Sequence, residues 1–266
     1  MADILQSIIA DKATEIGRLQ AAVSVDDLYA TAVAHEPVSF REGIEHTGHG
    51  IIAEFKRRSP SKGWIHRDAD PAAVAPGYER EGASAMSVLT DEKYFGGTLD
   101  DFRRVRSVTK LPLLRKDFVI SEYQLHQAKA AGADAVLLIA AAISEDLCRR
   151  LAHIARSLGL ETLLEIHSEE ELSYLSDDIT VLGVNNRCLG TFQTSLEASR
   201  YLAARLPRYV TRISESGIHS ATDVVELMRA GYNGFLIGEL LMREPDPPAA
   251  LRALNKDITS LICNNQ

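Results

Sequence analysis

The sequence predicts an α/β protein, a single (β/α)8 TIM barrel with an N-terminal helical extension. From residue 50 onward, short runs rich in aliphatic and β-branched residues alternate with segments of helical periodicity. About eight such units are present, and 266 residues suit one barrel domain. A doubly wound open sheet is the structural competitor, but it usually has fewer strands, and no GxGxxG motif follows the first predicted strand. We therefore expect a closed barrel.

The first part of the chain is predicted to be helical. Apolar residues at positions 4, 5, 8, 9, 16 and 19 have helical spacing opposite a charged face, which predicts a helix over 3–22. A second helix is expected over 25–34. We expect residues 1–48 to form a helical extension that covers one end of the domain and 49–266 to form the barrel. A membrane-surface helix would contain more Lys and Arg.

The barrel units follow in order. Strands are predicted at 50–55, 85–89, 112–115, 135–139, 161–166, 180–184, 209–214 and 234–237. Helical segments are predicted at 71–81, 99–108, 122–131, 145–158, 169–175, 196–206, 221–230 and 248–254. Gly132 and Gly231 each follow an alanine at the end of a helical segment, where glycine commonly ends a helix.

Charge and cysteine content exclude several classes of function. The formal net charge of −8 argues against nucleic acid or an anionic membrane as a partner, because both need a basic face. A small anionic ligand remains compatible if cations are concentrated locally. The charged N-terminal segment predicts neither an export signal nor a membrane span. Cys148, Cys188 and Cys263 lack CxxC spacing, so we expect no disulfide framework, no structural zinc and a cytoplasmic location.

Polar and charged residues close five of the predicted strands, at the end of a barrel where active sites lie. They are Glu54 and Lys56 at the first strand, Arg115, Lys116 and Asp117 at the third, Glu165 at the fifth, Asn185, Asn186 and Arg187 at the sixth, and Ser214, Glu215, Ser216 and Gly217 at the seventh. Glu54 and Lys56 are two residues apart, so they point to the same side of a strand. A carboxylate and an ammonium held together can divide acid and base roles. A buried ion pair would explain any one of these residues, but five such strand ends together favour catalysis.

Three segments have the composition of phosphate-binding loops. Residues 59–63 (SPSKG) follow the first strand and offer hydroxyl and backbone N–H donors. Ser216 and Gly217 follow the seventh strand, and Gly238 and Glu239 follow the eighth just before a helical turn. Many barrels bind phosphate with these two loops and a helix N-terminus. We expect an anion there, with the Glu239 side chain turned away and only its backbone contributing.

Taken in order, these motifs resemble those of the indole-3-glycerol phosphate synthase family. The matching segments are 51–56, 59–63, 87–91, 94–97, 113–119, 164–167, 183–187, 214–218 and 236–239, within roughly residues 3 to 254. The resemblance implies conversion of 1-(2-carboxyphenylamino)-1-deoxyribulose 5-phosphate into indole-3-glycerol phosphate in tryptophan biosynthesis. Ring closure, loss of carbon dioxide and loss of water make up the reaction. No cofactor and no metal are implied, and the one partner implied is this small anionic phosphate substrate.

The resemblance also implies roles for individual residues. Lys116 matches the general acid that protonates the ketone oxygen as the ring closes. Glu54, Lys56 and Glu165 match the positions of the other acid and base steps, without a decision on which residue serves which step. Lys56 could also hold the substrate carboxylate, and Asn185 could hydrogen-bond the carboxylate or the substrate hydroxyls. A lysine beside carboxylates stays protonated unless burial or a second cation lowers its pKa.

Further site residues follow from the same resemblance. Ser59, Ser216, Gly217, Gly238 and Glu239 match phosphate-binding positions, with Ser216 also grouped among the catalytic residues; Pro60, Phe95, Phe118, Arg187 and Glu215 are further substrate-contact candidates. Arg115 and Arg187 are candidates for tuning the field at the catalytic lysine. Arg57, Arg58 and Cys188 depart from the common family pattern, and the two arginines are expected to attract an anionic substrate.

Two rival functions remain at this point. Another phosphate-binding barrel, such as a phosphoribosyl isomerase or the tryptophan synthase α subunit, should place different acid and base residues from Glu54, Lys56, Lys116 and Glu165. A non-catalytic ligand-binding or scaffold barrel should have lost one or more of the charged strand-end residues, and this chain has kept them.

Overall fold

Eight parallel strands form a closed barrel in the computed structural model, which describes residues 4–188 and 193–264. The described residues form ten strands, of which eight belong to the barrel: β1 (Ile51–Phe55), β2 (Arg58–Ser59), β3 (Gly63–Trp64), β4 (Ala85–Leu89), β5 (Leu113–Lys116), β6 (Ala135–Ile139), β7 (Glu161–Ile166), β8 (Val181–Asn185), β9 (Thr211–Glu215) and β10 (Gly234–Ile237). β2 and β3 form a separate antiparallel hairpin, while β1 and β4 to β10 follow one another around the barrel, with β10 pairing back to β1. The predicted barrel is confirmed.

Helices surround the barrel and connect its strands. They are α1 (Ile4–Ala22), α2 (Val25–Ala30), α3 (Phe40–His46), α4 (Pro71–Arg80), α5 (Glu92–Phe95), α6 (Leu99–Arg106), α7 (Glu122–Ala130), α8 (Glu145–Ser157), α9 (Glu197–Leu202), α10 (Ala221–Arg229), α11 (Glu239–Met242) and α12 (Pro247–Cys263). Many begin at a Ser, Thr or Asp whose side chain accepts a hydrogen bond from the first turn, as Ser144 does from the N–H of Leu147. No helix within the described residues is long and apolar enough to cross a membrane.

Several helix predictions were wrong in extent. The segment predicted over 25–34 leaves the helix after Ala30, and the N–H of Val33 bonds the carbonyl of Ala130 at the end of α7. The segment predicted over 169–175 is a 3-10 turn, Glu170–Tyr174, and the predicted helices over 196–206 and 248–254 are shorter and longer, respectively, than expected. The first predicted helix position, residue 3, lies outside the described residues.

The N-terminal segment covers both ends of the barrel, whereas we expected it to cover one. α3, which was not predicted, packs Phe40 and Ile44 against the first inward residues of the strands, including Ile52 and Ala85. Its ends are tied to strand starts: the Ser39 hydroxyl donates to Glu161 (2.6 Å), and the Thr211 hydroxyl donates to Glu45. At the opposite end, residues of α1 line the cavity described below. The division of the chain at residues 48 and 49 stays a prediction.

Phe40 is expected to carry much of the seal at the closed end of the barrel. Its side chain is fully buried, so Phe40→Ala should lower the free energy of unfolding by about 3–5 kcal/mol through lost burial and the cavity left behind. Val38→Ala is the control, because Val38 lies two residues away with a side chain 38% exposed, and it should change stability by about 0.5 kcal/mol or less. Urea unfolding followed by circular dichroism measures both, and equal small losses would contradict the seal.

Candidate active site

A cavity of about 550 Å³ opens at the carboxyl ends of the barrel strands. The site residues predicted from the resemblance line it: Glu54, Lys56, Ser59, Pro60, Phe95, Phe118, Lys116, Glu165, Asn185, Arg187, Glu215, Ser216, Gly217, Gly238 and Glu239. Of the other predicted strand-end residues, Asp117 also lines the cavity, whereas Arg115, Asn186 and Ser214 do not. The structure therefore brings the predicted acid and base residues, the phosphate-binding loops and the substrate-contact candidates together around one space.

Four charged side chains form the floor of this cavity. Glu54, Lys116, Glu165 and Glu215 come from β1, β5, β7 and β9, which are alternate strands of the barrel. Alternate strands contribute the side chains of one interior layer, which in most barrels is apolar. The ammonium of Lys116 donates to Glu165 Oε2 and to Glu215 Oε2, both at 2.9 Å. A single lysine therefore joins one carboxyl group from the second strand along the barrel, β7, and one from the strand opposite its own, β9.

The charge state of Lys116 follows from these partners. Burial opposes its charge, but Glu165, Glu215 and Glu54 outweigh that cost and raise the pKa of Lys116. The net shift of this pKa is therefore upward, and Arg115 is not among its main causes, because Arg115 points away from the cavity and bonds Asp117 and Thr90. Lys116 is therefore an ammonium, and it can act as a hydrogen-bond donor or a proton donor.

The two glutamates beside Lys116 titrate differently. Burial raises the pKa of Glu165, but Lys116, His167 and the Asn185 amide reverse this and hold the pKa below its usual value. For Glu215, burial together with repulsion from Glu165 and Glu54 exceeds the attraction of Lys116 and raises the pKa to about 7. Glu165 is thus the stable carboxylate, and Glu215 exchanges its proton near neutral pH.

Glu54 and Lys56 form a second pair at the edge of the floor. Lys56 Nζ lies 2.5 Å from Glu54 Oε1, as their spacing of two residues predicts. Gly238 leaves the room that Glu54 occupies, because a Cβ at this position would lie 2.3 Å from Glu54 Oε1. Gly183 does the same for Glu215, whose Oε1 would also lie 2.3 Å from an added Cβ. These two glycines are therefore required by the charged layer.

Asn185 and Arg187 connect the floor to the rim. The Asn185 amide donates to Glu165 Oε1 at 2.9 Å, and its oxygen accepts from the N–H of Arg187 at 3.0 Å. The Arg187 guanidinium donates to the Ser61 hydroxyl at 3.1 Å, which links the segment after β8 to the loop after β1. The orientation of Glu165 thus depends on two loops as well as on its own strand.

One side of the cavity offers donors for an anion. Ser216 and Gly217 adopt the left-handed conformation with φ of 65° and 73°, and Ser216 is the non-glycine residue with positive φ in the described chain. The N–H of Glu239 lies in the first turn of α11, where a helix leaves its N–H groups without internal partners. The Glu239 carboxylate is 3.8 Å from Lys62 Nζ, so this side chain is engaged with the loop after β1.

The opposite side of the cavity is apolar. The Phe95 and Phe118 rings lie 6.1 Å apart between centroids, and Leu137 and Ile139 of β6 continue this wall. β5 and β6 stand across the barrel from β9 and β10, so the apolar wall faces the anion-binding rim. The cavity therefore has an aromatic end, a charged floor and an anionic-ligand end.

Sequence reasoning missed several residues of the cavity. Ile4, Leu5 and Ile8 of α1 line it, and so does Asp91 after β4. The apolar spacing of α1 predicted a packed helix but carries no information about which end of the barrel it meets. Asp117 was predicted to lie at the end of the third strand, but the sequence does not indicate its partners in the fold.

The arginines that depart from the family pattern bond other parts of the protein, and their expected attraction of an anionic substrate stays a prediction. The Arg57 guanidinium binds both oxygens of Asp101, at 2.7 and 2.9 Å, and the carbonyl of Gly96 at 3.1 Å. Arg58 donates to the carbonyl of Lys93 at 3.2 Å. These contacts join the loop after β1 to the segment after β4, so Arg57 acts as a local structural tie.

Within 4–188 and 193–264, no three His, Cys, Asp or Glu side chains converge as a metal site requires.

Comparison with known proteins finds one family across nearly the whole chain. The indole-3-glycerol phosphate synthase family matches residues 5–254. A Bacteroides thetaiotaomicron protein named indole-3-glycerol phosphate synthase is 50% identical over 260 residues, which cover 97% of this chain and 100% of that protein. Its namesake in Neisseria meningitidis serogroup B is 44% identical over 260 residues, covering 96% and 100% of the two chains.

Solved structures give the same fold at lower identity. A mutant tryptophan synthase alpha-subunit from the hyperthermophile Pyrococcus furiosus has a TM-score of 0.61 and 15% identity, covering 80% of this chain and 99% of its own. A thiamine phosphate pyrophosphorylase from the same organism has a TM-score of 0.61 and 16% identity, covering 84% and 100%. At these identities the likeness concerns the barrel alone.

Glu215 should give the stability of the protein a measurable pH dependence. Its pKa of about 7 exceeds the value of about 4.3 expected in the unfolded chain, so the folded state binds a proton first as pH falls. The stability contributed by this group is full below about pH 4.3 and is lost as pH rises through about 7, at up to about 1.4 kcal/mol per pH unit.

In Glu215→Gln this contribution is absent, so urea unfolding between about pH 5.5 and 8 should show a smaller gain on acidification than wild type. Glu226→Gln is the control, because Glu226 pairs with Arg200 at the surface. A Glu215→Gln profile parallel to wild type would contradict the assigned titration.

Proposed function

The chain belongs to the indole-3-glycerol phosphate synthase family, and we propose that its cavity converts 1-(2-carboxyphenylamino)-1-deoxyribulose 5-phosphate into indole-3-glycerol phosphate. One observation carries the proposal: the Lys116 ammonium is fixed between Glu165 and Glu215, in a layer that also contains Glu54. A buried ammonium with two carboxyl partners is suited to delivering a proton to a carbonyl oxygen and being restored afterwards.

The shape of the cavity supports a single orientation of this substrate. The phosphate would meet the donors of Ser216, Gly217 and α11, since N–H groups at a helix start favour an anion. The carboxyphenyl ring would lie across the barrel against Phe95 and Phe118. The ketose chain between them then passes over the charged floor, which places the ketone within reach of Lys116.

Ring closure is the step that Lys116 serves. The ring carbon that bears the carboxylate attacks the ketone carbon, a C–C bond forms, and the carbonyl oxygen takes a proton from the Lys116 ammonium. The raised pKa of Lys116 supports this role, since the donor is charged before the reaction begins. Glu165 and Glu215 hold the ammonium in place until it gives up this proton, and a proton from solvent restores it before the next turnover. The C–CO2 bond then breaks and its electrons restore the aromatic ring.

Dehydration needs a second acid and a base. We assign the acid to Lys56, whose ammonium pairs with the substrate carboxylate until carbon dioxide leaves and then donates a proton to the departing hydroxyl. Glu54, 2.5 Å from Lys56, orients that ammonium. We assign the base to Glu165, which removes a ring CH2 proton so that the indole forms. Its lowered pKa supports this choice, because it keeps Glu165 ionised.

The compartment and partners follow the same proposal. Cys148, which is buried, and Cys263, which is exposed, carry free thiols, which suits a reducing cytoplasm. A net charge of −8 disfavours nucleic acid as a partner. The residues assigned to the reaction use no cofactor.

Lys116→Met tests the assigned acid. It keeps the length of the side chain and removes the proton donor, so kcat should fall by about 10² or more, as expected for loss of a positioned general acid. Lys110→Met is the control, because Lys110 is exposed beyond the other end of β5, and kcat should stay within about twofold of wild type. Indole-glycerol phosphate fluorescence in the presence of a chelator follows the reaction. Tight binding by wild type without turnover would instead support a ligand-binding barrel.

Gly238→Ala tests the space that Glu54 needs. The added Cβ would stand 2.3 Å from Glu54 Oε1, so Glu54 must move and kcat/KM should fall by about tenfold or more. Gly17→Ala is the matched control, since nothing lies within 4 Å of its Cβ position in α1, and alanine there should raise stability by about 0.5–1 kcal/mol without changing kcat. Steady-state kinetics and thermal unfolding of both variants give the comparison. Unchanged kcat/KM in Gly238→Ala would sink the argument.

A further inference from the structure

Lys12 of α1 is a buried ammonium that reaches the rim of the cavity. Its side chain is 1% exposed, and Nζ lies 2.8 Å from Asp91 Oδ2, 3.0 Å from Asp117 Oδ1 and 2.9 Å from Glu15 Oε2. Asp91 and Asp117 are themselves buried and line the cavity, while Glu15 is partly exposed. One cation from the N-terminal segment therefore compensates two carboxylates at the mouth of the site.

The position of Lys12 on its helix gives this contact a second effect. Leu5, Ile8 and Lys12 are separated by three and four residues, so they lie on one face of α1. Leu5 and Ile8 line the cavity, as do Phe95 and Phe118. Because the helix is rigid over these two turns, the ion pairs of Lys12 fix where Leu5 and Ile8 stand.

Asp117 connects Lys12 to the catalytic strand. This residue follows Lys116 in sequence, and its Oδ2 accepts from the Arg115 guanidinium and from the Thr90 hydroxyl, both at 2.8 Å. Its Oδ1 accepts from the N–H of Phe118 at 2.9 Å and meets Lys12. Burial acts against its charge, but Arg115 and Lys12 lower the pKa of Asp117 to about 2. The carboxylate is thus ionised, and Lys12 is one of the groups that hold it.

Loss of the Lys12 charge would act on substrate binding in two ways. The mouth of the cavity would carry one more uncompensated negative charge, toward which an anionic substrate must move. The first two turns of α1 would also lose their connection to the rim, so the wall formed by Leu5 and Ile8 would shift. Both effects weaken binding, while Lys116 and its carboxylate partners stay in place.

We propose that Lys12 is a positioning residue for substrate binding, which fastens α1 over the cavity by pairing with Asp91 and Asp117 and so makes α1 one wall of the substrate site. This inference rests on the proposed function. A surface ion pair on the same helix offers the contrast: Lys93 meets Asp11 at 2.6 Å, but both side chains are substantially exposed, at 65% and 43%. Such exposed ion pairs contribute little to the stability of the fold.

The test compares Lys12→Met with Lys93→Met in the full chain, with the carboxyphenylamino-deoxyribulose phosphate as substrate and below the unfolding temperature of each variant. Lys12→Met should raise KM by about tenfold or more and change kcat by less than about threefold, whereas Lys93→Met should leave KM within about twofold. A merely structural role would lower the unfolding temperature of Lys12→Met and leave KM unchanged in the folded protein. That outcome overturns the inference.

Ile8→Ala provides a second variant in case Lys12→Met does not fold. It keeps the ion pairs and shortens the wall, so KM should rise by about threefold or more, and an unchanged KM overturns the inference as well. Wild type is measured in the same assay. If wild type shows no turnover, the proposed function fails; if wild type turns over and these variants keep its KM, only the role of α1 fails.

Discussion

The architecture of the site depends on one ammonium placed among three carboxyl groups inside a closed barrel. Glu165 and Glu215 could not both lie in this layer without Lys116, because two buried like charges oppose each other and neither has bulk water to screen it. Lys116 in turn would lose its charge in an apolar layer. The consequence is mutual: the carboxylates keep the lysine protonated, and the lysine keeps one of them ionised while the other titrates near neutral pH.

The rest of the barrel accommodates this layer. Positions 183 and 238 are glycines, and the absence of a Cβ atom at Gly183 and Gly238 leaves space for Glu215 and Glu54. The Asn185 amide donates a hydrogen bond to Glu165. Stability must come from elsewhere, since a charged layer replaces one that could have been apolar. The far end of the barrel, sealed by Phe40 and Ile44, and the packing between strands and outer helices supply that burial. Function is thus concentrated at one end of the strands and stability at the other.

Much of this was predictable from the sequence, for identifiable reasons. Each strand is a short apolar run of residues that favour extended backbone, and the rule that barrel sites lie at carboxyl ends of strands located Glu54, Lys116 and Glu165. α3 was not predicted, because seven residues with two apolar positions give too short a pattern to recognise as a helix. The contacts of Lys12 could not be predicted, because Asp91 and Asp117 are distant from it in sequence and only the closed fold brings them to α1. The chemical role of each lining residue stays a prediction, since geometry gives reach and charge but no rate.

Closure of the barrel between β1 and β10 sets the order in which a growing chain completes itself on the ribosome. β1 is made early, yet one of its two neighbours, β10, emerges only after every other barrel strand. Until then one edge of β1 displays unpaired N–H and C=O groups, the kind of edge on which chains associate wrongly. α3 also completes its contacts late, because Glu45 accepts a hydrogen bond from the Thr211 hydroxyl at the start of β9. β1 and α3 therefore complete their contacts only after β9 and β10, which lie far later in the chain, have been made.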